Sequence, residues 1–199
     1  MLTENNEILK IYKKEKALLE GHFILSSGMR SSAYLQSAIV LSIPEHLKKI
    51  AFALVKNIKK IIEIDKINLV VSPAMGGVVI GSKIGEVLNK KAIFLERANG
   101  NFTLRRGFQI LNNDKVLLVE DVLTTGKSSI ESIECVQSFG AEVICLASII
   151  DRSGSDTNLE FDCPYTSLAK INAPIFSETD IPLTLKKIPA VKPGSRFLK

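Results

Sequence analysis

The sequence predicts an α/β protein with a mostly parallel central sheet flanked by helices, and three observations carry that prediction. Short apolar runs rich in branched residues recur at 69–71, 92–95, 116–119 and 143–150, without the alternation of a half-exposed strand. Two of them, the first and the third, pass straight into a turn rich in glycine or hydroxyl residues and then into helical spacing. The chain has 199 residues, 46% apolar and 24% charged, which suits one domain with a sizeable core.

Taken in order, residues 5–20 place Ile8, Ile11, Tyr12, Leu18 and Leu19 near one helical face, with Gly21 as the stop. Segment 21–34 then wraps apolar residues around Ser26, Ser27 and Gly28, the pattern of a β-hairpin with a glycine turn. Ser42 and Glu45 read as a capping box around Pro44. The helix they open buries Leu47, Ile50, Leu54, Ile58, Ile61 and Ile62 and turns Lys48, Lys49, Lys56, Lys59 and Lys60 to solvent. His46 reads as a surface residue.

The strand at 69–71 ends in Ser72, Pro73, Ala74, Met75, Gly76 and Gly77, and a helix follows through Ile80, Ile84 and Leu88. The strand at 92–95 leads to Glu96 and Arg97, with Arg105 and Arg106 on a flanking loop. Ile130, Ile133, Val136 and Phe139 mark a helix stopped by Gly140. After the strand at 143–150, Asp151 and Arg152 read most simply as a local ion pair. The remainder, with Pro164, Pro174, Pro182, Pro189 and Pro193, reads as a surface-draping arm. One domain spans 1–199, its core at about 67–154 and a small hood made from about 1–40 and 160–199.

A net charge of +5 suits anionic small molecules, and the basic residues are scattered rather than massed, which argues against nucleic acid. Cys135, Cys145 and Cys163 form no C-x-x-C pair and read as reduced thiols. With no membrane-length apolar run and no signal-peptide core, the expectation is a cytoplasmic protein that binds no membrane.

The chemistry concentrates at Glu120, Asp121, Val122, Leu123, Thr124, Thr125, Gly126, Lys127, Ser128 and Ser129. From Thr124 onward, backbone N–H groups, hydroxyls and one cation gather at a helix start, where the unpaired N–H groups and the macrodipole suit a phosphate. Glu120 and Asp121 would repel that phosphate and are placed instead to accept from sugar hydroxyls or to sit near a metal. A phosphate cradle beside two acids implies a phosphorylated sugar. Gly126-Lys127-Ser128 is not the end of a P-loop, because Asp121 stands where that pattern needs its first glycine. The turn at Ala74, Met75, Gly76 and Gly77 offers a second anion cradle made mainly of backbone.

The string from Val116 to Ser128 resembles the phosphoribosyl-diphosphate (PRPP) signature of type I phosphoribosyltransferases, and with the segment at 21–34 the chain resembles the orotate phosphoribosyltransferases. The resemblance implies the type I phosphoribosyltransferase fold and the reaction of orotate with PRPP to give orotidine 5′-monophosphate and pyrophosphate, in UMP synthesis. It implies that Thr124 through Ser128 hold the 5′-phosphate, that Glu120 and Asp121 meet the ribose, and that Asp121 and Arg97 are catalytic. Arg97 and the 74–77 turn would receive the pyrophosphate. Thr124 and Arg152 would hold orotate, with Ser26, Arg30 and Tyr34 lining its pocket. It further implies a homodimer, Mg²⁺ held mainly by substrate near Glu120 and Asp121, and a mobile loop over the reacting centre. Many members carry lysines and a histidine in that loop; here Ala98 follows Arg97, and Arg105 and Arg106 are the available cations. Two other readings stand beside this one: a purine phosphoribosyltransferase of the same fold, and a non-enzymatic PRPP sensor that binds RNA.

Overall fold

A computed structural model describes residues 6–25, 28–154 and 159–193. The chain begins with helix α1 (Glu7–Lys14), capped by the Asn6 side chain, which accepts from the N–H groups of Ile8 and Leu9 at 2.9 and 3.4 Å. This helix is shorter than the sequence pattern suggested. Lys16 turns the chain at φ 55, so Leu18 and Leu19 join strand β1 (Leu18–Ile24), opposite Leu35 and Tyr34 of β2 (Arg30–Leu35). Gly21 lies inside β1, at the irregularity between Glu20 and Phe23, and stops no helix. The expected hairpin is present, with Gly28 at φ 84 in its turn.

Two helices follow, α2 (Ser37–Leu41) and α3 (Pro44–Ile58). The capping box does not form. Ser42 closes α2, its hydroxyl donating to the Ile39 carbonyl at 2.8 Å, and Ile43 stands at the N-cap of α3 with Pro44 in its first turn. Ile61 and Ile62 fall beyond the helix. His46 is partly buried and bonded to Glu15 at 3.0 Å, not a bare surface residue.

The main sheet runs in the order β5 (Asn101–Leu104), β4 (Lys91–Ala98), β3 (Leu69–Pro73), β6 (Lys115–Leu123), β7 (Glu142–Asp151), β8 (Tyr165–Lys170). Every pairing is parallel except that of β4 with β5. Helix α4 (Gly76–Leu88) returns β3 to β4, and α5 (Lys127–Gln137) returns β6 to β7 in the other direction. The winding therefore reverses between β3 and β6, the place where ligands enter sheets of this kind. Register shows the opening directly. The β3–β6 ladder ends at Val71 opposite Leu118, while β3–β4 continues to Pro73 and Leu95 and β6–β7 continues to Leu123 and Asp151.

One apolar cluster fills the face under α1, α2, α3 and α4, through Tyr12, Ile50, Leu54, Ile80, Leu117 and Val119. A second fills the face under α5, through Val71, Leu118, Leu123, Ile133 and Val136. Side chains such as Ile80 and Leu117, wholly buried, each contribute about 2 kcal/mol of transfer free energy. Alternation along β6 thus sends residues 117, 119 and 121 to the α4 side and 116, 118 and 120 to the α5 side.

Residues 159–193 form more than a draped arm. β8 extends the central sheet to Lys170, so the core passes the expected limit, and α1 belongs to that core rather than to the hood. The hood is the antiparallel sheet β1–β2–β9 (Ile175–Phe176) with α6 (Leu183–Lys186), tied down where Val191 bonds His22 and Ile24 at 2.9 and 2.8 Å. The three cysteines are free, Cys145 being buried. Among the described residues no helix is long and apolar enough to cross a membrane.

Candidate active site

The gap between β3 and β6 is a cleft of about 170 Å³. Its walls come from the end of β3 (Pro73, Ala74, Gly76), from β4 and β5 (Arg97, Phe102), from β6 (Glu120, Asp121, Val122), and from the turn into α5 (Thr124, Gly126, Ser128, Ser129). A larger cleft, about 580 Å³, lies elsewhere, at the opposite ends of the strands beside Lys115 and Glu142. Size does not mark the site here; the convergence of polar groups does.

Glu120 and Asp121 lie within β6, which runs four residues further than the apolar pattern suggested. Being adjacent in a strand, they point to opposite faces. Glu120 is nearly inaccessible on the α5 side, and burial pushes its carboxyl up to about 7, with Ser129 and Arg97 opposing that rise and Asp121 adding to it. The Ser129 hydroxyl stops short of a well-formed bond, so Glu120 Oε1 and Ser129 Oγ are both buried without a partner among the described residues. Asp121 faces α2 and α4. Burial raises its carboxyl too, opposed chiefly by the Ser37 hydroxyl beside it. A Cβ on Gly76 would stand 2.4 Å from Asp121 Oδ1, so glycine is needed there to let the helix start approach the carboxylate.

Gly126 precedes the first turn of α5 at φ 77, a conformation that favours glycine. The N–H groups that follow it have no helical carbonyl to meet. Leu123 does not share in this surface. Its side chain is fully buried in the core and its carbonyl accepts from the Arg152 N–H at 2.8 Å, so its expected ligand role reduces to placing the turn. Thr125 and Lys127 are exposed at the rim, Thr125 Oγ1 accepting weakly from the Lys127 N–H at 3.4 Å. In the second cradle, the Ala74 N–H is taken by the Leu95 carbonyl at 2.8 Å, which leaves Met75, Gly76 and Gly77 as its donors. Met75 is largely exposed, while Gly77 packs against the Val119 carbonyl and lines no cleft.

Arg97 sits inside β4, not past its end. Its guanidinium lies 4.1 Å from the Phe102 ring centroid, bonds the Gly100 carbonyl and Ser128 Oγ at 2.5 and 3.5 Å, and pairs with Glu131 of α5. Arg106 goes elsewhere. It forks onto Glu96 with two bonds of 2.9 Å, and that contact holds the Glu96 carboxyl below the usual range. Because Glu96 and Arg97 are neighbours in a strand, Arg106 is held on the face away from Arg97. Arg105 is exposed and also lies outside the cleft. In this structure neither arginine supplies the cation the loop was expected to carry.

The expected Asp151–Arg152 ion pair is absent. Asp151 pairs with Lys170 at 3.5 Å and accepts from Ser153, while Arg152 is buried between Ser31 Oγ and the Ala173 carbonyl, at 2.8 and 3.2 Å. Among the described residues its Nε–H has no partner, and burial pulls its basicity down, which suits a guanidinium that meets an anion. The hood candidates are differently placed. Arg30 pairs with Glu178, and Tyr34 stacks on Phe23 at 5.9 Å. Ser26 and Ser27 lie outside the described residues. The sequence reading missed Phe102 under Arg97, Glu131 beside it, and Ser37 behind Asp121.

Among the described residues no cluster of three acids, histidines or cysteines could cage a metal, and the opposed carboxylates of Glu120 and Asp121 form no chelate. That donor set fits a magnesium ion held mainly by substrate oxygens.

Residues 38–176 match the phosphoribosyl transferase domain family, which with the sheet order and the cleft at its switch point defines the class. The chain is 48% identical to an orotate phosphoribosyltransferase of Erythrobacter litoralis, over 96% of this chain and 98% of that one. It is 45% identical to that of Thermotoga maritima, over 96% and 100%. The crystal structure of orotate phosphoribosyltransferase from Aeropyrum pernix superposes with a TM-score of 0.65 at 24% identity, over 82% of this chain and 93% of that one. The chain belongs to the orotate phosphoribosyltransferase family.

Proposed function

We propose that this protein transfers the 5-phosphoribosyl group of PRPP to orotate, releasing pyrophosphate and forming orotidine 5′-monophosphate for UMP synthesis. The observation that carries the reading is the buried, incompletely bonded Arg152, whose backbone is bonded to Leu123 at the start of the phosphate turn. A planar, anionic base supplies what that guanidinium lacks; a neutral purine does not.

The rest follows from the cleft. N–H groups and hydroxyls from Thr124 to Ser128 hold the 5′-phosphate. Arg97 and the N–H groups of Met75 and Gly76 take the leaving pyrophosphate. Glu120 and Asp121 accept from the ribose hydroxyls from opposite sides and offset the positive charge that builds at the anomeric carbon as its bond to pyrophosphate breaks. Glu120 and Asp121 would lie near a magnesium ion held mainly by substrate oxygens, which would supply neutralisation of leaving-group charge. No side chain in the cleft needs to act as a nucleophile. A homodimer belongs to the same proposal and rests on the family resemblance.

The test is base consumption. Protein, PRPP and magnesium are mixed with orotate, hypoxanthine, adenine or uracil, and ultraviolet absorbance is followed. Loss of orotate alone is expected. Consumption of a purine would refute the Arg152 assignment, and PRPP binding without any turnover would leave the sensor reading standing.

A further inference from the structure

A carboxylate beside an anion-binding turn works against it, since like charges repel, yet Glu131 stands one helical turn beyond Lys127 and Ser128 on α5. Its partner is Arg97 of β4, whose guanidinium pairs with Oε2, while Lys127 reaches Oε1 at only 3.8 Å. The other main anchors of Arg97 come from its own hairpin. Asn99 and Gly100, at φ 52 and 88, make the two-residue turn between β4 and β5. That tight return sets Phe102 directly opposite Arg97 in the antiparallel pair, the guanidinium lying 4.1 Å from the ring centroid. It also leaves the Gly100 carbonyl to accept from Nη1 at 2.5 Å. Arg97 and Phe102 line the cleft, whereas Glu131 stands behind it. These contacts do not exhaust the guanidinium's donors, so a diphosphate can be met without undoing them.

We propose that Glu131 and Phe102 are positioning residues for Arg97: the α5 carboxylate and the hairpin ring hold the guanidinium beside the phosphate turn before a diphosphate arrives. The proposal rests on the phosphoribosyl-transfer reading above, in which Arg97 takes the leaving pyrophosphate. An arginine side chain that a ligand must order loses rotamer freedom on binding; one ordered beforehand does not. As a charge alone, Glu131 weakens an anion site. As an anchor, it strengthens one. The two roles therefore predict opposite signs for its removal.

The experiment is an equilibrium titration of the intact protein with inorganic pyrophosphate and magnesium, beside turnover of orotate and the thermal midpoint. The variants are Glu131→Ala, Glu131→Gln and Phe102→Leu, with Glu131→Ala made also in an Arg97→Ala background. Glu131→Ala should bind pyrophosphate about 3- to 10-fold more weakly, the cost of one side chain left to be ordered, although a negative charge has been removed. Its kcat should fall in the same sense. Glu131→Gln, which keeps an acceptor, should recover part of both losses. Phe102→Leu should act in the same direction by a smaller factor. In the Arg97→Ala background the sign should reverse, because the carboxylate left there only repels. The thermal midpoint of Glu131→Ala should barely move, since the pair is partly exposed. Tighter pyrophosphate binding by Glu131→Ala when Arg97 is present, or equal losses with and without Arg97, would overturn the positioning role. A wild type that consumes no orotate would overturn the functional reading, while the titrations would still decide the anchor; one that binds no pyrophosphate would overturn both.

Discussion

In the cleft, Glu120 and Asp121 stand on a strand paired residue by residue with β7, and Gly76 and Gly126 leave the space that close approach requires. In the hood, and where it meets the end of β7, Arg30 and Arg152 depend on partners from other parts of the chain: Glu178 for the first, Ser31 and Ala173 for the second. The cleft is thus built from backbone that the parallel sheet positions locally. The hood is built from side chains that only the finished fold can bring together. The division matches two tasks, holding the sugar phosphate and choosing the base. Substitutions in one region should therefore spare the other's ligand.

The largest effect should come from Asp121→Asn. Turnover should fall by about 100-fold or more, as for other groups that act on transition-state charge. The thermal midpoint should hold or rise, because burial already disfavours the charge that is removed. Unchanged turnover would take Asp121 out of the mechanism and leave the cleft a binding pocket only.

Glu120 sharpens the comparison through pH. The folded protein holds its proton more tightly than the unfolded chain, since burial lifts the carboxyl from 4.5 to about 7. Its contribution to stability is therefore complete below about 4.5 and is lost as pH rises through about 7. The substrate-free protein should melt at progressively lower temperature across that window, with Asp121 acting in the same direction. Glu120→Gln should flatten the decline in a melting series. An identical slope in the variant would show that Glu120 is not the buried acid responsible.

Arg106→Ala should do least. The Arg106–Glu96 pair is exposed and faces away from Arg97, so activity should stay within about 2-fold and the thermal midpoint should barely move. A large loss of kcat would instead place Arg106 over the reacting centre during turnover.

The cleft was legible in the sequence because its chemistry is local. A buried strand, two acids, a glycine turn and a helix start occur within one short stretch, and the structure keeps them together. Strand ends were less legible. β6 and β4 carry polar residues past the point where the apolar run stops, because sheet pairing with β7 and β5 continues there. Thus Arg97 and the two acids are strand residues, not loop residues. The N-terminal helix was overextended because Leu18 and Leu19 suit both helical and strand spacing; the turn at Lys16 decided between them. β8 was missed because Tyr165–Lys170 has weak periodicity and earns its place by pairing with β7. The Tyr12–Ser37 bond carried no local signal at all, since it exists only after α1 and α2 have docked.

The central claim, that cleft and hood divide sugar phosphate from base, is tested most directly by Arg152→Ala. Equilibrium titrations with PRPP and with orotate, each beside wild type, separate the two regions. The account predicts PRPP affinity within about 2-fold of wild type and orotate affinity weaker by about 10- to 100-fold, the loss of a charge-assisted pair. A parallel loss of both ligands in a protein that still melts cooperatively would contradict it, as would orotate binding that survives without the guanidinium.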